Sequence, residues 1–434
     1  MMQQKTISAY TLGCKVNQYD TGVMLEKFEQ AGYAVVPFGE KSDVVLINTC
    51  TVTGTGDNKS LKTIRHCIRQ NPDCVIIAAG CLAQRDAQHL AQMDGVRVVI
   101  GTQERERVFA HFERAMTEDT VVIAVKGLEN ACFEESKIDS IDGHTRAILK
   151  IQEGCENKCT YCVIPQVRGP VRSRAPESIR SEVERLCSAG FLEIVLTGVH
   201  LNSYGKETGS DLAQAVVTAL EAAKPFGARI RLGSLEPTVH DDKLAQAACA
   251  YDNFCPQFHL ALQSGSDGVL RRMKRRYNTT QFETSVAIFR RYFPGCAITT
   301  DIITGFPGET EEEFAQTLDF VRKIGFARIH AFPYSQRSGT PAARMENQVP
   351  IALRQKRAGE LIKVGEACAQ EYLLSKVGQM QILLVERITP EGMGVGYTEH
   401  YCRCQVYGAQ AGTMVPVVPT KVQDGVLLED TCTK

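Results

Sequence analysis

Short runs rich in Val and Ile, separated by longer stretches of helical periodicity, recur along most of this chain. The first four lie at residues 6–11, 44–48, 75–79 and 96–100. They are too short for helices and read as buried strands. Residues 20–31 and 57–70, between them, read as helices. Parallel neighbours need a crossover connection and a helix supplies it, so this alternation predicts a parallel α/β sheet. We assign it to residues 1–135. Residues 129–143 are polar and of mixed charge, and are expected to form a linker.

The alternation resumes in residues 145–375. Strands are expected at 147–152, 193–197, 229–233, 257–262, 297–303 and 328–332. Helices are expected between them, among others at 176–189, 211–223 and 311–324. Six β/α units in series predict a partial (β/α)6 barrel, short of the full eight. A helical stretch follows at 351–376. Residues 376–434 change character: β-prone runs at 381–386, 402–407 and 414–419 are broken by Gly and Pro. That pattern predicts a small C-terminal antiparallel β-barrel. The 434 residues agree with three domains at about 150 residues each, and no repeat of solenoid period is present.

Hydrophobic residues make up 44% and charged residues 23%, which excludes a disordered or fibrous chain. The formal net charge of -1 argues against a uniformly basic nucleic-acid coat, though not against a local patch. The N-terminus lacks the apolar run of a signal peptide, and no run of 18 or more apolar residues occurs. A cytoplasmic protein without membrane contact is therefore expected. The 17 cysteines are an odd number, so they cannot all pair internally. In a reducing compartment, cysteine clusters point to metal ligation or catalysis.

The strongest motif is IQEGCENKCTYCVIP, residues 151–165, immediately after the first barrel strand. Cys155, Cys159 and Cys162 form C-x-x-x-C-x-x-C. Thiolates suit iron–sulfur clusters, and three close cysteines would leave a fourth iron open. Zinc and plain structural thiols are the alternatives, but zinc knuckles usually come in pairs and no second C-x-x-C is present. A second set is dispersed. Cys14, Cys50 and Cys81 each follow a predicted strand of the first block, in TLGCKVNQYD, INTCTV and AAGCLAQ. Carboxyl ends of parallel strands meet at one sheet edge, the usual ligand crevice, so three thiolates could converge there. Three buried small hydrophobes are the alternative.

The Cys155–Cys162 run resembles the radical S-adenosylmethionine (SAM) superfamily, and the three N-terminal motifs are similar to the methylthiotransferases within it. Gly56, where the family pattern has Ala, is one small departure. The likeness continues through LTGVHLNSYG, LGSLEP, LQSGSD and DIITGFPGET, and covers about residues 6–345. The tail resembles a TRAM domain, a small RNA-binding β-barrel, in GYTEHYCRCQV. The resemblance implies two [4Fe-4S] clusters, one on Cys155, Cys159 and Cys162 and one on Cys14, Cys50 and Cys81, each with an open iron. It places SAM on the first, with Tyr161 beside the adenine and Thr197, Gly198, Glu236, Gln263 and Ser264 lining the pocket. Asn17 and Asn48 match polar positions beside the second cluster.

The implied reaction begins with one-electron cleavage of SAM, followed by hydrogen removal from C2 of a modified adenosine. Sulfur and then a methyl group are added there. Three branches act respectively on isopentenyladenosine in tRNA, on a ribosomal-protein aspartate, and on N6-threonylcarbamoyladenosine at tRNA position 37. TLGCKVNQYD, LTGVHLNSYG and the lead-in KIQEGC are most similar to the third. The implied partners are tRNA, an electron donor such as a flavodoxin or ferredoxin system, and a sulfur donor of unknown identity.

Two basic runs, Arg168/Arg172/Arg174 and Arg271–Arg276 with Tyr277 beside it, are candidates for phosphate contact. Solvated surface charge is the alternative. Most of the remaining eleven cysteines, Cys402 and Cys404 among them, read as buried thiols. Three rival classes explain less. An iron–sulfur electron carrier leaves the barrel loops unexplained, and an RNA-binding module accounts only for the tail. A cobalamin-dependent radical enzyme would be expected to carry D-x-H-x-x-G, which residues 1–135 lack. P-loop and zinc-protease signatures are absent as well.

Overall fold

The computed structural model describes residues 4–137, 145–237 and 241–429. Part of the expected linker, residues 138–143, lies outside them. The first block is a six-stranded parallel sheet in the order Ala34–Val35, Thr6–Thr11, Val44–Thr49, Val75–Gly80, Val96–Ile100, Val122–Ala124. The central strand Val44–Thr49 is buried throughout, which is why it reads as VVLINT without alternation. Helices cover both faces. Ile7, Leu46, Ile77 and Val98 pack with Phe28 and Phe112 on one side. Val45, Ile47, Ile76 and Val99 pack with Ile64 and Leu90 on the other. The chain reverses direction across the sheet between Thr6–Thr11 and Val44–Thr49, so a crevice opens beyond the carboxyl ends of these two strands.

The second block holds six parallel strands, Arg146–Glu153, Glu193–Gly198, Arg229–Leu232, Gln257–Leu260, Ala297–Thr304 and Arg328–Pro333. Arg229–Leu232 pairs with the strand before it, and its continuation Ser234–Leu235 pairs with the one after. The kink at Gly233 thereby joins two four-stranded sheets into one partial barrel. Ala147, Leu149, Ile151, Ile194, Leu196, Ile230 and Leu232 pack against the helices Pro176–Ser188 and Leu212–Ala223. The alternate residues, including Arg146, Lys150, Glu193, Arg229 and Arg231, therefore face away from those helices. The barrel helix Glu311–Ile324 is closed by a capping box between Thr310 and Glu313.

The tail forms a six-stranded sheet in the order Met414–Val417, Gln381–Ile388, Met393–Thr398, Arg403–Tyr407, Val426–Leu428, Lys421–Gln423. It is antiparallel except for the parallel pair Arg403–Tyr407 with Val426–Leu428. Its two outermost strands are consecutive in the chain. A flat sheet would hold them about 24 Å apart at ordinary strand spacing, whereas the link from Val417 to Lys421 spans at most ~15 Å. The sheet must therefore roll up, around Leu383, Val385, Cys404 and Leu427.

The tail is fixed to the barrel by buried charge. Glu193 accepts from Arg229 and Arg231, both at 2.7 Å. The same guanidiniums donate to the tail carbonyls of Ile382, Tyr397, Thr398 and Glu399. Burial acts to raise the Glu193 carboxyl, but Arg231, Arg229 and Arg146 outweigh it and hold the group down to about 2, against an ordinary 4.5. A folded-state pKa below the unfolded one adds stability that is full above about 4.5 and vanishes as pH falls to about 2, here roughly 3 kcal/mol. Glu193→Gln should therefore cost about 3 kcal/mol at neutral pH and flatten the fall of melting temperature through this acid range. Thermal melts across that range check it, and parallel profiles for the two proteins would refute the assignment.

Candidate active site

Both cysteine sets occur at carboxyl ends of parallel strands. Cys14 caps the helix Lys15–Gln30, and Cys81 opens the helix Cys81–Arg85. Cys50 follows Val44–Thr49 directly. The Cys50 and Cys81 thiols each feel Cys14 electrostatically, and Cys50 feels Cys81, so the three turns that carry them are neighbours. Gly13 allows it: its φ is +100°, and a Cβ there would stand 3.0 Å from the Cys50 sulfur. Asn17 and Asn48 tie the turns together. Asn17 donates to the carbonyls of Leu12 and Thr49 at 2.7 and 3.0 Å, and Asn48 donates to the carbonyl of Asn17 at 2.8 Å.

Cys155, Cys159 and Cys162 lie within electrostatic reach of one another on the loop after Arg146–Glu153. Gly154, at φ +78°, sets that loop's course, and the Cys155 N–H donates to the Gly169 carbonyl at 3.0 Å. Two residues after Cys162 the helix Ile164–Arg168 begins, and it ends on the residue that reaches the other triad. The Arg168 Nε donates to the Cys81 sulfur at 3.3 Å. Its Nη1 lies 3.0 Å from Asp20 and 2.5 Å from Glu153, and its Nη2 bonds the Asn17 side chain. Asp20 and Glu153 are shared with Arg105 and Lys150 at 2.6–3.1 Å. Burial acts to raise both carboxyls, and these cations overcome it and keep them ionised.

The barrel triad has its own guanidinium. Arg275 Nη1 donates to the Cys159 sulfur at 3.0 Å, and its Nη2 lies 2.6 Å from Glu236. Glu236 also meets His200 at 2.8 Å and Asn157 at 3.1 Å. Asn157 and His200 lie within the motifs CENKC and LTGVHLNSYG, and Arg275 within the second basic run, but their meeting at Glu236 was not evident from the sequence.

The expected SAM-pocket residues divide. Tyr161 is part-buried beside Phe306, with ring centroids 6.3 Å apart. Thr197 and Gly198 end the second barrel strand, where a Cβ on Gly198 would press on Gln152 and Leu201. Gln263 has a left-handed backbone, φ +67°, and its amide donates to the Asp301 carbonyl. Glu236 is engaged by Arg275 as described. Ser264 is fully buried, and its hydroxyl meets Thr317 and the Ser266 N–H, so it braces the loop against Glu311–Ile324.

The first basic run is not a surface patch. Arg168, Arg172 and Arg174 are all buried, and Arg174 donates to the Tyr19 hydroxyl and the Ser136 carbonyl. In the second run Arg272 pairs with Glu313, Arg275 turns inward and Tyr277 is buried. Arg271, Lys274 and Arg276 remain exposed. Cys402 and Cys404 are buried in the tail, as expected.

The donor sets fit iron–sulfur clusters. The Cys50 and Cys162 sulfurs receive N–H donors from Val52 (3.5 Å) and Ile164 (3.4 Å), besides the two guanidiniums on Cys81 and Cys159. Burial pushes the bare Cys50 thiol up to about 11 and Cys162 up to about 12, so a strong positive charge must replace the protons if they are to act as thiolates. Gly154→Ala tests the loop, because its Cβ would strike the Pro170 carbonyl oxygen. It should cost about 2–4 kcal/mol and lower iron retention by the barrel triad. Wild-type iron content and melting temperature would contradict this.

Residues 6–101 match the model of the uncharacterized protein family UPF0004, and residues 149–321 match that of the radical SAM superfamily. A Bacillus subtilis protein named threonylcarbamoyladenosine tRNA methylthiotransferase MtaB is 39% identical over 93% of this chain and 91% of its own. Its Thermotoga maritima namesake is 35% identical over 98% and 96%. A Parafrankia protein named tRNA-2-methylthio-N(6)-dimethylallyladenosine synthase is 38% identical over 91% and 79%. Among solved structures, the radical SAM methyltransferase TsrM of Kitasatospora setae has the same fold, with TM-score 0.57 and 16% identity over 79% of this chain and 77% of its own. The chain belongs to the radical SAM tRNA methylthiotransferase family.

Proposed function

We propose that this protein adds a methylthio group to C2 of N6-threonylcarbamoyladenosine at position 37 of tRNA, beside the anticodon. The observation that carries the reading is the seam of two cysteine triads. One lies on each α/β block, and the helix Ile164–Arg168 links them. The full-length likeness to the threonylcarbamoyladenosine enzymes supports the choice of substrate.

Cys155, Cys159 and Cys162 would hold one [4Fe-4S] cluster and Cys14, Cys50 and Cys81 the other. When bound, the first cluster with SAM supplies radical chemistry at carbon, and the second supplies the sulfur. The chain's own residues bind and tune. Arg168 and Arg275 each place a buried positive charge on a ligand sulfur, which favours the anionic cluster and sets its potential. Glu236 fixes Arg275, as Asp20 and Glu153 fix Arg168. Tyr161, Thr197, Gly198 and Gln263 would wall the SAM site, with Glu236 and Ser264 supporting it. Residues 1–135, 145–375 and 376–434 would serve as the sulfur-bearing, radical and RNA-facing domains. A flavodoxin or ferredoxin system would deliver the electron.

Reconstituted protein should hold about eight irons, and Cys14→Ala and Cys155→Ala should each hold about four. An unchanged count in Cys14→Ala would refute the second cluster. Nucleoside analysis of tRNA from cells lacking the protein should show loss of the 2-methylthio form of threonylcarbamoyladenosine. Loss of 2-methylthio-isopentenyladenosine instead would reassign the substrate.

A further inference from the structure

One wall of the barrel lumen carries polar groups that the site described above does not use. On the strands Gln257–Leu260, Ala297–Thr304 and Arg328–Pro333, the side chains of Phe258, Leu260, Ile298 and Ile302 pack into the helix-covered core, with Ile329 and Ala331 against it. The alternate residues His259, Thr299, Asp301, Arg328, His330 and Phe332 therefore face the lumen. Strand register sets them in rows. His259, Thr299 and Arg328 share one, Asp301 and His330 the next, and Ile303 and Phe332 the one above. Successive rows are about 6.6 Å apart. The upper end of this wall adjoins the barrel triad. Gln263, proposed above to wall the SAM site, bridges to Ile302. Two residues beyond Phe332, Tyr334 meets Phe306 and Phe306 meets Tyr161 of the cysteine loop, with ring centroids 5.4 and 6.3 Å apart.

The groups in these rows have bonding capacity to spare. His259 Nδ1 meets the Thr299 hydroxyl at 3.1 Å. Its Nε2 lies 3.3 Å from Asp301 Oδ2 but out of line for a hydrogen bond, so this buried nitrogen has no hydrogen-bond partner among the described residues. The Asp301 carboxylate accepts no hydrogen bond among the described residues either, although its side chain is 33% exposed. The His330 ring stands 6.2 Å from that of His259, and no hydrogen bond to it occurs among the described residues. Arg328 is exposed and makes no hydrogen bond or ion pair among them. With Thr299 it borders a cavity of about 430 Å³ that reaches Tyr397 and Tyr401 of the tail. Phe332, at the other end of the same face, is 47% exposed. A buried polar atom without a partner costs about 1–3 kcal/mol. Several such groups converging on open space mark a site for a polar ligand.

We propose that this wall is the subsite for the N6 substituent of the modified base, with Asp301 and His330 bonding its N–H and hydroxyl groups and Arg328 its carboxylate. This rests on the substrate reading given above. The threonylcarbamoyl group carries N–H and O–H donors along its length and a carboxylate at its end. The wall presents its partners in the same order: a carboxylate and a ring nitrogen in the middle row, then a cation in the row farthest from the cysteine loop. The base itself stays toward Phe332, at the end nearer that loop. A dimethylallyl group is uncharged hydrocarbon and supplies none of these partners. It would leave Asp301 and Arg328 desolvated and unpaired, so one wall both selects and rejects.

Binding of the reconstituted protein to three anticodon stem-loop RNAs tests this by fluorescence anisotropy. One carries threonylcarbamoyladenosine, one its carboxylate methyl ester, and one plain adenosine. Wild type should bind the acid about tenfold or more tighter than the ester, the size of a charge-assisted contact. Arg328→Gln should bring that ratio near one while binding the ester as wild type does, and Arg328→Lys should restore most of it. Arg328 is exposed on an edge strand, so its replacement should leave iron content and melting temperature as they are. A wild-type ratio in Arg328→Gln overturns the subsite and leaves the substrate reading standing. His330→Phe keeps a ring but removes its nitrogens, and carries the test if Arg328→Gln loses iron. It should lower the preference for the ester over plain RNA severalfold, and an unchanged preference overturns the subsite. Equal wild-type binding of the acid and plain RNAs would instead overturn the substrate reading, and the subsite with it.

Discussion

The guanidinium of Arg168 sits where the two α/β blocks meet, and the geometry of the site depends on it. It bonds Asn17, Asp20 and Cys81 on one side of the seam and Glu153 on the other. Asp20 and Glu153 are in turn shared with Arg105 and Lys150. In a buried, low-dielectric setting such a network contributes little net stability over apolar packing, but removing one member strands the others at about 3–5 kcal/mol. Its value lies in register. Apolar contacts across the seam, such as Tyr19 and Val23 against the barrel core, tolerate small slides. Five charged side chains within hydrogen-bond distance do not. The same guanidinium touches a cysteine sulfur, so whatever fixes the seam also fixes the distance between the two triads.

The two triads are built alike. Each takes its cysteines from loops at carboxyl ends of parallel strands, and each has one sulfur facing a buried Arg that carboxylates hold from behind. The barrel version is Arg275 with Glu236, and the N-terminal version is Arg168 with Asp20 and Glu153. The bare Cys81 and Cys155 thiols are driven toward the neutral form by burial. A polynuclear cation reverses that preference, and the guanidiniums offset the negative charge that the thiolates then carry. The charges around these sulfurs would thus suit bound iron–sulfur clusters.

The strands and the six cysteines were legible in the sequence because each follows a local rule. A buried strand is a Val/Ile run, and a ligand loop follows its carboxyl end. What escaped depends on distant partners. The run Arg168/Arg172/Arg174 has the composition of a phosphate-binding patch, yet Asp20, which buries Arg168, is 148 residues away. No local pattern separates a solvated charge run from a buried network. The helix Lys15–Gln30 starts five residues before the expected position, because Cys14 stands at its N-cap and its first turn carries no acidic residue. The strands Ala34–Val35 and Val122–Ala124 are too short to show periodicity. The parallel pair in the tail is set by how the sheet rolls up, which composition does not encode.

The near-zero net charge acquires a different meaning once the arginines are placed. Arg105, Arg168, Arg174, Arg229 and Arg231 are buried, and all serve the joints between the three parts of the chain. They add to the formal charge but present nothing to a polyanion. A whole-chain balance of -1 therefore underestimates neither surface nor interior; it mixes two populations with different jobs. Exposed cations near the barrel triad include Lys158 in the cysteine loop and Arg271, Lys274 and Arg276, the last three on the segment that carries Arg275 to Cys159. Phosphate contacts there would bear on the same segment that brings Arg275 to Cys159, and would join RNA docking to the surroundings of the barrel triad through one short stretch of chain.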